Sequence, residues 1–146
     1  MFSDDAPPHR RLGLLAAVAL GGLAGTGARY ALGSVYPAAP GTWPSATFGI
    51  NIVGAFALGI LLESLVRSGP DTGRRRLVRL AAGTGALGSF TTYSALVLDV
   101  NLLVRDGHPA LATVYAGVSV LAGVIAAAAG IAAGAKFDRR RRKDIG

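Results

Sequence analysis

Arg29, Asn51, Ser89, Thr91, Thr92, Ser94, Asp99, Tyr115 and Ser119 are polar residues lying within long apolar runs of this 146-residue sequence. Inside a membrane span such groups are costly, which makes them functional candidates. Asn51, within Thr47-Phe48-Gly49-Ile50-Asn51-Ile52-Val53-Gly54, has two readings. Its amide donates to an anion that has shed its water, or it bonds a neighbouring helix. Tyr115 and Ser119 are one helical turn apart, so both hydroxyls can line one stripe. Phe90 and Tyr93 share a face if helix persists between them. Aromatic edges carry positive charge and can face a small anion, or the rings simply pack against lipid or core. Arg29 supplies positive potential at a pore mouth or snorkels to the interface. Asp99 holds a water or hydroxyl network near the outer end, or pairs with Arg105 or Arg29.

What is missing narrows the chemistry. Cysteine does not occur, so disulfides, thiolate nucleophiles and cysteine metal sites are impossible. His9 and His108, the only histidines, fall in loop segments and suggest no imidazole cluster or proton relay. No nucleophile–base pair is evident, so no enzyme is expected. The net charge of +7 would point to nucleic acid in a soluble protein. Here the basic residues flank apolar spans, so they read as a topology signal and no nucleic-acid partner is expected.

The elements that must position these groups are transmembrane helices. Hydrophobic residues make up 51% of the chain and charged ones 16%, against about 25% charged in an ordinary soluble domain. A spanning helix needs about 20 mostly apolar residues. Four such segments are read at about residues 12–35, 45–66, 77–104 and 110–135, leaving no room for a soluble catalytic domain. Residues 1–11 read as a cytoplasmic tail before a retained first helix, and residues 136–146 as a frayed basic tail. The loop Tyr36–Pro44 carries three prolines and no charge. Basic residues gather on one side: Arg10, Arg11, Arg67, Arg74, Arg75, Arg76, Arg79, Lys136, Arg139 to Arg142 and Lys143. The other side receives Arg105, with Arg29 just within the membrane. That bias predicts one fixed orientation in the plasma membrane with both termini cytoplasmic. The Arg139–Lys143 run reads as an anchor against the anionic lipid bilayer.

The third span is irregular. Gly83-Thr84-Gly85-Ala86-Leu87-Gly88-Ser89-Phe90-Thr91-Thr92-Tyr93-Ser94 makes a poor continuous helix, so a break is predicted there. A discontinuous helix bares backbone groups, tolerated in a membrane only where protein, water or an ion satisfies them. Unwound carbonyls at half-helix ends are typical cation ligands, and Gly88 and Thr91 are placed to offer them. The competing reading is a glycine-rich kink at a tight helix crossing. Gly21 with Gly25, and Gly130 with Gly134, have the spacing that lets helices approach closely.

Together these residues resemble the CrcB/Fluc family of fluoride channels, over about Gly21 to Gly123. The resemblance is carried by Gly21-Gly22 through Ala28-Arg29-Tyr30, by Thr47 to Asn51 with Gly54, and by Gly83 to Ser94. The core Gly88-Ser89-Phe90-Thr91-Thr92-Tyr93-Ser94 is its most specific part. The resemblance implies an all-α membrane fold of four helices with a broken third helix, paired as an antiparallel dual-topology dimer. It implies two narrow fluoride pathways and a central structural sodium ion held by backbone carbonyls, with Gly88 and Thr91 at the matching positions. Asn51 matches the family's pore asparagine, Tyr93 the first pore aromatic, and Ser119 a hydroxyl of the fourth span. Thr92, Ser94 and Tyr115 join them along the implied pathway. Passive fluoride export would follow. Amide and hydroxyl donors, ring edges and a nearby cation can replace fluoride's tightly held water.

The chain departs from the family pattern in two places. Leu96 stands where a second pore aromatic is usual, and Gly123 where a further hydroxyl is usual, while Asp99 keeps the acidic position. Leu96 offers no polarised edge, which leaves one pathway altered or silent. An antiparallel homodimer also needs near-balanced loop charge, which this chain lacks. The two observations favour a heterodimer with an oppositely oriented paralogue over a homodimer. Two rivals remain. A small multidrug-type antiporter needs a carboxylate in the first span, and none is present. A non-conducting scaffold or subunit explains the small-residue packing, but not Asn51, the hydroxyls and the irregular span together.

Overall fold

The computed structural model describes residues 12–143, with side chains through residue 136. The tail at 1–11 and the last three residues lie outside the described residues. The chain folds as α1 (Leu12–Val35), α2 (Ser45–Ser68), α3 (Gly73–Val78), a π-helical segment (Arg79–Leu87), α4 (Gly88–Phe90), α5 (Tyr93–Arg105) and α6 (Pro109–Lys143). No strand occurs among the described residues. Four stretches are long and apolar enough to cross a membrane: Leu12–Val35, Ser45–Ser68, Gly73–Arg105 and Pro109–Lys136. Helix begins at Gly73, ahead of the apolar start at Leu77, because Arg74–Arg76 favour helix on the aqueous side. Helix also continues to Lys143 rather than ending at Ala135.

Local chemistry sets the ends of these elements. Gly107 follows α5 at φ +85°, a left-handed conformation that glycine adopts without strain. Its N–H donates to the Val104 carbonyl at 3.1 Å, and His108 N–H donates to the Leu103 carbonyl at 2.8 Å. This doubly bonded stop turns the chain sharply into α6. At the start of α5, the Thr92 hydroxyl accepts from Ala95 N–H at 3.1 Å, a side-chain N-cap.

Glycine contacts bring the helices together. α2 lies along α6. A Cβ on Gly59 would sit 2.5 Å from the Ala127 carbonyl oxygen, and one on Gly134 would sit 3.0 Å from that of Ile60. α1 lies against the π-helical segment. There, Cβ atoms on Gly21 and Gly25 would collide with the carbonyls of Ala81 and Ala86. The π segment is built from small residues between Ala81 and Ala86, and its carbonyls there meet the α1 backbone. The irregularity read over Gly83–Ser94 thus resolves into two features: a π-helical stretch, and an extended pair at Thr91 and Thr92. Beyond these seams, Leu20, Leu23, Tyr30, Leu121, Val124 and Ile125 are exposed. Such a surface suits a chain whose solvent is lipid.

The turn between α2 and α3 is clipped by charge. Asp71 accepts from Arg79 Nε at 3.1 Å and Nη2 at 2.8 Å, and the Asp71 backbone carbonyl accepts from Arg76 Nε at 2.9 Å. The hydrogen bond from Arg79 holds the Asp71 carboxyl below its usual 3.8. Slight desolvation opposes this, and the charges of Arg79 and Arg76 add to it. A depressed carboxyl supports the fold above its unfolded value and loses that support as pH falls through the folded one. The clip is therefore intact at neutral pH. Asp71→Asn is expected to speed trypsin cleavage after Arg74–Arg76 at pH 8. Equal rates in the variant and the wild type would mean the clip does not hold the turn.

Candidate functional site

The polar groups converge where α4 gives way to α5. Thr91 (φ −75°, ψ 153°) and Thr92 (φ −152°, ψ 121°) are extended. Helical hydrogen bonding stops across this pair, and the freed groups need other partners. Asn51, on α2, supplies them. Its Nδ2 donates to the Thr92 carbonyl at 3.1 Å, and its Oδ1 accepts from Thr92 N–H at 2.8 Å. Only a side chain that both donates and accepts can satisfy the N–H and the C=O of one residue in this way. One N–H of the amide remains for another acceptor. Asn51 therefore makes the interhelical bond and keeps a donor.

Because Thr92 N–H turns to Asn51, the Gly88 carbonyl lacks the amide that a continuous helix would bring. The Leu87 carbonyl, by contrast, accepts twice, from Thr91 N–H at 3.0 Å and from Thr91 Oγ1 at 2.9 Å. Gly88 is exposed and Thr91 half-buried. Their carbonyls are an oxygen-only donor set, the kind preferred by hard cations. Gly54 lets this segment approach α2: a Cβ there would collide with Thr91 Cγ2. The Thr92 and Ser94 hydroxyls lie 3.1 Å apart. Phe90 and Tyr93 are not one turn of a common helix, because extended residues separate them. Phe90 is half-buried, whereas Tyr93 is 77% exposed, its ring projecting from the single chain.

A second polar group lies along α6. Tyr115 is fully buried, and its hydroxyl donates to Asp99 Oδ2 at 3.2 Å. Asp99 thus bonds tyrosine, and no ion pair to Arg29 or Arg105 forms among the described residues. One turn on, Ser119 is buried and its hydroxyl has no hydrogen-bond partner among the described residues. That hydroxyl lies beside the Tyr115 hydroxyl, so the two form one polar stripe in a dry environment. Leu96 is buried with Leu103, Ala112 and Tyr115, packed inside the chain where the resemblance puts a pore ring. Arg29 is half-buried near the end of α1, with no ion pair among the described residues.

Sequence reasoning passed over Trp43. Its ring meets Phe48 edge-on at 5.5 Å and Tyr115 at 5.1 Å. Pro44 caps α2, so Trp43 and Phe48 occupy the positions on either side of a helix start that commonly staple together. An aromatic, a proline and a second aromatic four residues on was the signal available.

Residues 16–131 match the family model described as CrcB-like protein, camphor resistance (CrcB). The chain belongs to the CrcB family. Among its relatives are proteins named fluoride-specific ion channel FluC. FluC 2 of Leifsonia xyli subsp. xyli is 47% identical over 133 residues, covering 91% of this chain and 90% of the relative. FluC 1 of Cutibacterium acnes is 46% identical over 124 residues, covering 85% of this chain and 87% of the relative. FluC 3 of Streptomyces avermitilis is 45% identical over 131 residues; the match covers 90% of this chain and 63% of the relative. Within this CrcB chain, the match includes Asn51, the Thr91–Thr92 pair, Tyr115 and Ser119.

Proposed function

We infer that this chain is a subunit of a fluoride-selective ion channel. It lets fluoride leave the cell passively and so lowers cytoplasmic fluoride. Relatives that carry this name at 45–47% identity support the reading. The observation that carries it is the bidentate grip of Asn51 on Thr92. That grip holds polar backbone and hydroxyls at membrane depth beside a spare amide donor. Fluoride must shed tightly held water, and fixed donors in a dry path can replace that shell. The electrochemical gradient drives the flux, so no catalytic step is needed.

A partner subunit completes the path. Gly88, Tyr93 and Ser94 are exposed on the single chain, and lipid cannot satisfy polar backbone there. A second subunit in antiparallel orientation would cover this face. The Gly88 and Thr91 carbonyls suit a sodium ion shared between the subunits, which would supply a fixed positive charge. These residues would offer backbone carbonyl oxygens, while Asn51 holds the adjoining backbone at Thr92. The basic ends at Arg67, Arg74–Arg76 and Lys136 favour one orientation, with both termini in the cytoplasm and the chain in the plasma membrane. That bias, with Leu96 in place of a ring, favours a heterodimer with an oppositely oriented paralogue.

Fluoride efflux from liposomes tests the reading, with chloride as control. Fluoride-selective efflux from the chain alone would support the channel and rule out an obligate heterodimer. Efflux that appears only when the paralogue is co-reconstituted would support both. No efflux in either preparation would overturn the channel reading in favour of a scaffold subunit.

A further inference from the structure

We propose that Trp43 is a positioning residue for the outer end of the polar stripe on α6, and that it acts through Tyr115. The proposal rests on the fluoride-channel reading above. The loop between α1 and α2 has two sides. On one side, Gly41, Thr42, Pro44, Asp99 and Asp106 help to line an outer cavity of about 260 Å³. On the other, Trp43, which is not among the residues lining that cavity, stands edge-on to Tyr115, ring planes at 90° and centroids 5.1 Å apart. Asp99 belongs to both sides, since it lines the cavity and accepts the Tyr115 hydrogen bond. Trp43 thus packs against the Tyr115 ring, while Asp99 links the Tyr115 hydroxyl to the cavity.

The physical consequence concerns the direction of a hydroxyl. Tyr115 is fully buried, so its O–H points where packing and Asp99 put it. With the indole in place, the tyrosine ring cannot swing toward the loop. Without it, the ring gains room, water takes the vacated space, and the hydroxyl is shared between water and Asp99. A donor without a fixed direction replaces the water of a small anion poorly. Flux should fall, and discrimination against larger anions should relax, because wet sites tolerate hydrated ions.

The test compares Trp43→Phe, Trp43→Leu and Trp43→Ala in liposomes, each also on a Tyr115→Phe background. The wild-type chain, with its paralogue where required, is the reference. Losing an edge-to-face ring partner should lower fluoride efflux about tenfold in Trp43→Ala and Trp43→Leu, and raise the chloride-to-fluoride ratio. Trp43→Phe keeps a ring edge and should stay within about threefold of wild type. On the Tyr115→Phe background, Trp43→Ala should add less than about a twofold further loss, because the hydroxyl it directs is gone. A merely structural role would leave selectivity unchanged and multiply in full on that background. Wild-type efflux from Trp43→Ala, or full multiplication with Tyr115→Phe, would overturn the proposal. If both Trp43→Ala and Trp43→Leu fail to assemble while Trp43→Phe is fully active, Trp43 is a folding residue and the proposal fails. Failure of the wild type to pass fluoride would instead sink the parent reading. Fluorescence separates the two, because Trp43 is the only tryptophan. Tyr115→Ala should increase acrylamide quenching of its emission, and unchanged quenching would show that the two rings are not packed.

Discussion

Asn51→Ala is expected to abolish measurable fluoride efflux while the protein still inserts in the membrane. The alanine leaves Thr92 N–H and Thr92 C=O without partners at membrane depth. Each unsatisfied buried group costs about 1–3 kcal/mol, and each 1.4 kcal/mol is a factor of ten. The two together predict a loss of at least about thirtyfold. Asn51→Asp separates the two halves of the grip. An ionised carboxylate still accepts from Thr92 N–H, now 2.8 Å away, but sets oxygen against the Thr92 carbonyl, which receives Nδ2 at 3.1 Å. The substitution also places a charge beside an anion path. Its efflux should be as low as that of the alanine variant. Flux within about threefold of wild type in either variant would show that Asn51 does not hold the conducting backbone. Protease mapping of the proteoliposomes separates lost conduction from lost insertion.

The second large effect is expected at Gly25. A Cβ there would overlap the Ala86 carbonyl oxygen and lie 2.9 Å from the Ala86 carbonyl carbon and 3.0 Å from Phe90 N. All three are backbone atoms, so no side chain can swing aside. Overpacking a close-packed seam costs about 1–3 kcal/mol, more where backbone must move. Gly25→Leu should therefore abolish the monodisperse peak in detergent chromatography. Gly25→Ala should lower the thermal midpoint by several degrees. Gly27 is two residues along the same helix, and a Cβ there meets nothing within 4 Å. Gly27→Ala should elute and melt like the wild type. If Gly25→Ala does the same, the seam between α1 and the π segment is looser than its geometry implies.

The contrast between Gly25 and Gly27 shows where sequence reading stops. The small-residue spacing of Gly21 with Gly25 and of Gly130 with Gly134 marked both pairs as packing positions, but neither the partner of each pair nor the π-helical form of Arg79–Leu87 could be read from it. A π segment differs from an α-helix by one residue per turn of hydrogen bonding. Composition does not report that choice when the residues are as small as Ala81, Gly83 and Gly85. Asn51 was marked as a costly polar residue, and its two readings stayed open because the deciding partner, Thr92, is 41 residues away. Asp99 has two readings in the sequence, a hydroxyl or water network and an ion pair with Arg29 or Arg105, and a hydroxyl is the partner it finds. It bonds Tyr115 because the turn at Gly107 folds α6 back along α5, which brings that hydroxyl closer than either arginine.

By itself the sequence determined the solvent of this protein. Transfer of apolar side chains into lipid is a local property, summed residue by residue over each run. Four spans, their basic flanks and the costly polar residues inside them therefore follow from the order of amino acids alone. The family motifs are local strings too, and they are legible for the same reason. Only the tertiary structure decided which polar groups meet. Whether Asn51 reaches Thr92, or Trp43 reaches Tyr115, depends on how each helix is rotated and where it crosses its neighbour. Those angles come from glycine seams and turns acting over tens of residues, which no local pattern encodes.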